Sequence, residues 1–260
     1  MKKILDYLKN DGVIVVNKDD MYSKYFMNKN NVTIGFGDCD FKALSYTENS
    51  AGMDITFTYE NTSFVAHTNL KSRFNVYNYL NCLAICKSLG FKISDLLDAS
   101  LSIYPPHGRC ESIKVRKGQA VIDYAHTPDA VSKIIDAFLE NKTGKIITVV
   151  GCGGDRDPMK RPIMGDIATK KSDYVIFTND NPRTEDPEAI MKDILNGVES
   201  NNYCVIYDRK EAILKGLAML EDNDTLLILG KGHEDYQIIG HTKHHFDDTE
   251  IVLEYIKTQA

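Results

Sequence analysis

The 260-residue sequence predicts an α/β protein whose second half is a mostly parallel sheet with helices on both faces. Three observations carry this. Apolar runs rich in β-branched or long aliphatic residues, IITVV at 146–150 and TLLIL at 225–229, have the pattern of parallel strands covered on both sides. From residue 145 onward strand and helix patterns alternate, over 145–150, 159–171, 173–178, 187–199, 203–207, 209–220 and 225–229. Directly after IITVV the chain reads GCGGDRD, a tight glycine turn that opens a helix.

The elements before this region are shorter. Residues 1–9 read as the last turns of a helix, and GVIVVN (12–17) as a buried strand, with Asp19 and Asp20 able to cap a short helix after it. NVTIGFG (31–37) is a further strand, and the alternation over 41–70 predicts a small antiparallel set. Residues 73–89 have helical period, with Val76, Tyr79, Leu80, Leu83, Ala84 and Cys86 on one side and Gly90 at the end. After a helix at about 94–101, the stretch Tyr104-Pro105-Pro106-His107-Gly108 marks a boundary, so 1–103 and 104–260 are expected to be separate domains. RCESIKV and QAVIDYA then read as strands, and Pro128 opens a helix through Leu139. A hairpin, YQIIG with HTKHHF, and a helix from Asp247 close the chain.

Composition narrows the function. A net charge of −6 with dispersed basic residues argues against nucleic acid as partner. No apolar run reaches a membrane span, and the N-terminus has no apolar core of a secretion signal, so a cytoplasmic protein without membrane insertion is expected. The six cysteines include no Cys-x-x-Cys pair, which suggests reduced, mostly buried thiols. Cys152 sits in the glycine turn, but no histidine or second cysteine adjoins it.

The candidate chemistry lies in loops expected at the carboxyl ends of strands, where open α/β sheets bind ligands. After IITVV come Gly151, Gly153 and Gly154, then Asp155, Arg156, Asp157, Lys160 and Arg161; after YVIFT come Asn179, Asp180, Asn181, Pro182 and Arg183. Arginines among carboxylates suit a ligand that carries both carboxylate and ammonium groups. The glycine turn alone is a weak signal, being neither a Walker A loop nor G-x-G-x-x-G. Arg156 and Arg161 add weight to a ligand contact, against the alternative of surface ion pairs. DNPR also reads as an Asx turn. In DYAHTPD, Asp129 can cap a helix and His126 can be a surface histidine; the functional reading puts Asp123 on a ribose hydroxyl and His126 near phosphates. Gly230 to Glu234 follow TLLIL, and neither His233-Glu234 nor HTKHH has metal-ligand spacing, so no metal site is expected.

VIVVNKDD, FNVYN, GRCE, VIDYAHTPDAV, GCGGDRDPMKRPIMG, TNDNPRTEDP, DR-x-x-AI and GKGHEDYQ follow one another across essentially the whole chain. In this order they resemble the Mur ligases of peptidoglycan synthesis, and among them the branch that adds meso-diaminopimelate to a UDP-N-acetylmuramoyl dipeptide. The resemblance implies a Rossmann-like C-terminal domain that binds the amino acid, preceded by the end of a central ATPase domain. It implies that Arg156, Asp180, Asn181, Pro182, Arg183, Gly230 and Glu234 match the amino-acid positions, with DNPR the version associated with diaminopimelate. It places Asn75 near the adenine of ATP, with Arg109, Asp123 and His126 toward ribose and phosphates. ATP and Mg2+ are the implied cofactors, and Lys2 corresponds by spacing to the family's carbamylated lysine. The family's G-x-G-K-[ST] phosphate loop has no match in the sequence. The chain is therefore expected to be the C-terminal portion of such a ligase, inactive alone, with its main magnesium ligands and N-terminal half elsewhere. A non-catalytic diaminopimelate-binding module, or one subunit of a split ligase, is the alternative. DNPRTEDP and GKGHEDYQ argue against folyl- or cyanophycin-type ligases. Apolar faces of GVIVVN, NVTIGF and the 73–89 helix are expected to lack cover, with poor solubility as the result.

Overall fold

The computed structural model describes residues 3–9, 11–27, 30–49, 52–140 and 142–259; the lysine expected at position 2 lies outside them. The chain divides into two compact units, Met1–Pro105 and Pro106–Ala260.

The first unit contains α1 (Lys3–Asp6), β1 (Ile14–Asn17), β2 (Asn31–Gly35), β3 (Phe41–Glu48), β4 (Met53–Tyr59), β5 (Thr62–Thr68), α2 (Arg73–Ser88) and α3 (Ile93–Ser100). Its sheet runs β1-β2-β3-β4-β5; β1, β2 and β3 are parallel and the rest antiparallel. Strand alternation turns Met53, Ile55 and Phe57 to one face, where they meet Val76, Leu80, Leu83 and Ala84 of α2. On that face Phe41 stacks on Tyr59 with ring centroids 4.2 Å apart. β1 does not behave as the buried strand its sequence suggests. It is an edge strand in which only Val16 is buried, and Val13 before it is 43% exposed. On α2, Phe74 and Ile85 are also exposed. Asp19 does not cap the short 3-10 turn at Ser23–Tyr25; its carboxylate accepts from the amides of Phe36 (2.7 Å) and Gly37 (3.1 Å) instead.

The second unit contains β6 (Glu111–Lys114), β7 (Gln119–Asp123), α4 (Pro128–Leu139), β8 (Ile146–Val150), α5 (Lys160–Lys171), β9 (Tyr174–Phe177), α6 (Pro187–Leu195), β10 (Tyr203–Val205), α7 (Arg209–Met219), β11 (Thr225–Leu229), β12 (Tyr236–Ile239), β13 (Thr242–His245) and α8 (Asp248–Thr258). Its main sheet runs β10-β9-β8-β11-β7-β6 and is parallel except for β6. The period of two splits each strand between two cores. Ile146, Val150, Val175, Phe177, Leu227 and Leu229 pack with α4, α5 and α6. Ile147, Val149, Ile176, Leu226 and Ile228 pack with α7 and α8. Helix starts follow capping chemistry: Asp186, Asp208 and Asp247 cap α6, α7 and α8. At α4 the cap is Thr127, not Asp129; Thr127 Oγ1 accepts from the Ala130 amide at 3.3 Å, while Asp129 pairs with Lys133 at 2.8 Å.

The chain steps outward from β8 to β9 to β10, then α7 carries it back to β11 on the other side of β8. The strand order therefore reverses between β8 and β11. This is the switch point at which such sheets hold ligands. All six cysteines are free, but only Cys110 and Cys152 are buried, fewer than expected. Burial pushes the Cys152 thiol up to about 12, so its place in the glycine turn makes it inert.

Candidate functional site

Loops at the carboxyl ends of β8, β9 and β11 close on one another, and glycine is what lets them. A Cβ on Gly151 would lie 2.1 Å from Thr178 O, and one on Gly154 would lie 1.9 Å from Pro182 O. Gly154 N donates to Asn181 O at 2.9 Å, locking the glycine turn to DNPR. A Cβ on Gly153 would come 2.8 Å from Arg183 Nη1, so this glycine leaves room for the guanidinium.

Arg183 is held on both sides. Its φ of +53° is left-handed and costs about 1–2 kcal/mol for a residue with a Cβ. The backbone is fixed there by two bonds: Arg183 N donates to Ile238 O (3.0 Å), and Arg183 O accepts from Gly240 N (2.7 Å). Its Nη1 donates to Gly154 O (2.7 Å) and Asn181 O (3.4 Å). The Nε–Nη2 edge has no partner among the described residues. A half-buried guanidinium anchored by one edge presents the other as a ready fork for a carboxylate.

Asp180 is the opposite pole. It is 8% exposed, and no donor among the described residues reaches its carboxylate oxygens. Gly230, at φ +115°, makes space for it, since a Cβ there would lie 2.7 Å from Asp180 Oδ2. Asn181 is bonded through both ends of its side-chain amide. Its Oδ1 accepts from Ile238 N (2.9 Å) and Lys231 Nζ (3.3 Å), and its Nδ2 donates to Glu234 Oε2 (2.8 Å). Glu234 Oε2 also accepts from Lys231 Nζ at 3.3 Å. Pro182 is buried, its carbonyl against Gly154. Arg156 is exposed on the rim and donates to Asp155 O at 3.0 Å. The hydroxyl and amide of Thr184 hold the Asp155 carboxyl below the usual range, and the charges of Arg183 and Arg156 add to this.

Arg161 is different. It is 2% exposed and donates to Asp193 Oδ2 (2.9 Å), Glu185 Oε1 (2.9 Å) and Gly153 O (3.3 Å). Its expected ligand contact gives way to a buried ion-pair role that ties α5 to the glycine turn.

Two buried cations under the site have no role in the sequence reading. Arg209 and Asp248 form a two-pronged pair at 2.8 and 2.7 Å with neither side chain exposed, and Arg209 Nη2 also caps Leu229 O at 3.0 Å. Lys231 is 0% exposed; burial lowers its pKa, and Asp180 opposes that. Each follows a recognisable element, Arg209 a helix cap and Lys231 an apolar strand, but Asp248 and Asn181, which help to hold them, are distant in sequence.

Charge bookkeeping then describes the crevice. Arg209 pairs with Asp248 and Lys231 with Glu234, so Asp180 feels the charges of Lys231 and Arg209 but has no hydrogen-bonded cation among the described residues, and Arg183 keeps a free edge. A buried carboxylate left so is costly unless something positive joins it. The arrangement suits an ammonium together with a carboxylate.

A second group gathers at the end of β7. Arg109 lies 4.5 Å over the Tyr124 ring, with the His126 and His233 rings 4.5 and 4.9 Å from it. Both Asp123 oxygens accept backbone amides, from Cys110 and Ala125, each at 2.8 Å. Burial pushes the Asp123 carboxyl up and those amides oppose it. His126 is exposed, with Nδ1 2.8 Å from Tyr124 O. Asn75 lies in the other unit, buried, its Nδ2 donating to Lys71 O (2.7 Å) and its Oδ1 accepting from Asn78 (2.9 Å). Among the described residues no three His, Cys, Asp or Glu side chains converge as a metal site would require.

Comparison with known proteins gives two family matches: the Mur ligase middle domain over residues 1–86 and the Mur ligase glutamate ligase domain over 108–232. UDP-N-acetylmuramoyl-L-alanyl-D-glutamate--2,6-diaminopimelate ligase 1 of Clostridium acetobutylicum is 40% identical over 256 residues, covering 96% of this chain and 53% of its own. The ligase of that name from Clostridioides difficile is 45% identical over 221 residues, 83% of this chain and 45% of its own. A solved structure of a ligase so named superposes with TM-score 0.69 at 33% identity, over 95% of this chain and 53% of that one. The MurF ligase of Thermotoga maritima, solved in complex with ADP, shares the fold at TM-score 0.69 and 17% identity, over 97% of this chain and 55% of that one. The chain spans about half the length of the curated relatives it matches.

Proposed function

The chain belongs to the Mur ligase family, and we propose that its second unit is the amino-acid site of a ligase that adds meso-diaminopimelate to UDP-N-acetylmuramoyl-L-alanyl-D-glutamate. The observation that carries this is the free Nε–Nη2 edge of Arg183 in the same DNPR loop as the buried Asp180 carboxylate, which has no hydrogen-bond donor among the described residues. Arg183 takes a ligand carboxylate in two parallel hydrogen bonds, and Asp180 with Glu234 takes the ammonium at the same end. Asn181 keeps Glu234 in place, Pro182 and Gly230 shape the walls, and Arg156 adds positive charge at the rim. L-lysine, which has an ammonium but no carboxylate at its far end, would leave the guanidinium edge unpaired, so the site selects against it.

In the proposed reaction the side-chain carboxylate of D-glutamate takes the γ-phosphoryl group of ATP, with ADP leaving, and the amine of diaminopimelate then displaces phosphate from that acyl phosphate and loses a proton to give the amide; Mg2+ would supply charge neutralisation at the phosphates. Arg109 and His126 around Tyr124 fit the phosphate and ribose end of ATP, with Asp123 beside them; Asn75, in the first unit, is the adenine position that the family resemblance implies. Residues 1–103 read as the end of the central domain and 104–260 as the amino-acid domain of a cytoplasmic enzyme. The 260 residues hold no G-x-G-K-[ST] segment, the cradle for a transferring phosphoryl group. By themselves they bind the amino acid without turning it over.

Calorimetry on the 260-residue chain tests this. Wild type binds meso-diaminopimelate more tightly than L-lysine, and Arg183→Ala removes most of that preference, about 1.5–3 kcal/mol for a charge-assisted pair. Equal binding of the two amino acids by wild type would contradict the reading.

A further inference from the structure

Lys231 is wholly buried, yet its ammonium is not idle. Nζ donates to three acceptors: Asn181 Oδ1 at 3.3 Å, Glu234 Oε2 at 3.3 Å and the carbonyl of Tyr236. A neutral amine has two N–H donors and a lone pair, which would face one of these oxygens; only the ammonium satisfies all three. The Tyr236 and Phe246 rings, 5.4 and 6.0 Å from Nζ, close the cage with aromatic faces that also favour a cation.

We propose that Lys231 is a positioning residue for amino-acid recognition: its ammonium fixes Glu234 and Asn181 so that the crevice receives a ligand ammonium. Three links make the device. Lys231 and Asn181 Nδ2 both donate to Glu234 Oε2, so that oxygen cannot swing away. Asn181 Oδ1 joins Lys231 to Ile238 N, which docks β12 beside Arg183. Lys231 also pairs with Glu234, so Asp180 is the acid of the group with no ion pair of its own among the described residues. The groups facing Lys231 are Asp180 from the β9 loop, Glu234 on its own turn, Arg209 from α7 and Asp248 from α8. Burial and Arg209 pull its pKa down while the three acids hold it up. The ammonium is thus kept, but it is lost at a lower pH than from an exposed lysine.

The proposal deepens the amino-acid reading of the site and rests on it, but one arm of its test needs no ligand. Hydrogen exchange of the Asn181 side-chain amide, followed by NMR in the full chain, is that arm. Lys231→Met speeds that exchange, with the circular-dichroism spectrum kept. An unchanged exchange rate overturns the proposal, whatever the ligand does. The second arm is calorimetry with meso-diaminopimelate on wild type, Lys231→Met, Glu234→Gln and the double variant. If Lys231 acts through Glu234, each single change weakens binding at least about tenfold, and the double is within about twofold of Glu234→Gln alone. Additive losses, about a hundredfold in the double variant, would overturn it. Absence of heat from wild type together with faster Asn181 side-chain exchange in Lys231→Met would remove the ligand assignment and keep the Lys231–Asn181–Glu234 coupling. Lys231→Gln, which retains two donors, is read in the same two ways where Lys231→Met melts below the working temperature.

Discussion

In the first unit a five-stranded sheet gathers one hydrophobic cluster on one face, and its parallel edge strand β1 buries only Val16. In the second, every residue of β8 and β11 is buried between two helical layers. The difference decides where chemistry can be built. A sheet covered on both faces supplies helix ends and loops as partners, so Arg161, Arg209 and Lys231 can each be almost fully buried and still be matched. The first unit instead leaves Phe74, Ile85, Leu89 and Phe91 in solvent and buries no comparable cation among its described residues. Among the described residues the buried ion pairs lie in the second unit, so its interior is held electrostatically as well as by apolar packing.

That contrast can be broken by substitution. The largest effect is expected from Arg209→Met, which leaves Asp248 as an unpaired buried charge. Urea unfolding should show the second unit losing about 3–5 kcal/mol, with hydrogen exchange in β3–β5 unchanged. Equal loss of protection in both units would show that they do not stand on separate cores. Leu80→Ala is the converse. It opens a cavity in the first unit and costs about 2–5 kcal/mol there, leaving diaminopimelate affinity as in wild type.

The smallest effect concerns His107. Burial alone would lower its pKa, but the hydrogen bond to Asp247 and the charge of Glu111, each 3.0 Å away, raise it above the ordinary 6.5. A raised folded pKa gives stability that is complete below the ordinary histidine value and is lost as pH climbs through the folded one. Thermal melts of the second unit should therefore weaken slightly from about pH 6.5 upward, and His107→Asn should flatten that dependence. The side chain is 44% exposed, so solvent screening keeps the effect small. A wild-type slope of the opposite sign would contradict the pairing.

Much of this architecture was legible in the sequence, and the exceptions share a cause. β8 and β11 announce themselves by unbroken apolar runs, and Pro128 fixes the start of α4 to the residue. β1 reads the same way locally, IVVN against IITVV, but periodicity cannot say whether a strand ends up at an edge. Asp19 carries a helix-capping signature, yet its partners Phe36 and Gly37 come from another turn 17 and 18 residues away. The arginines make the point most sharply. Arg156, Arg161 and Arg183 lie in similar charged loops, but Arg161 starts a helix whose neighbour supplies Glu185 and Asp193, which turns it inward. Arg209 was unreadable because its partner Asp248 lies 39 residues away, and Lys231 because Asn181, which completes its set with the nearby Glu234, lies 50 residues away. Spacing along a chain reports local geometry; it does not report which charge a distant loop will bring.

The most direct test is a crystal structure of the chain grown with meso-diaminopimelate. The account predicts one ligand carboxylate on the Nε–Nη2 edge of Arg183 and the neighbouring ammonium within roughly 3 Å of Asp180. A ligand bound elsewhere, or an Arg183 guanidinium turned away from the crevice with Asp180 still unmatched, would contradict it.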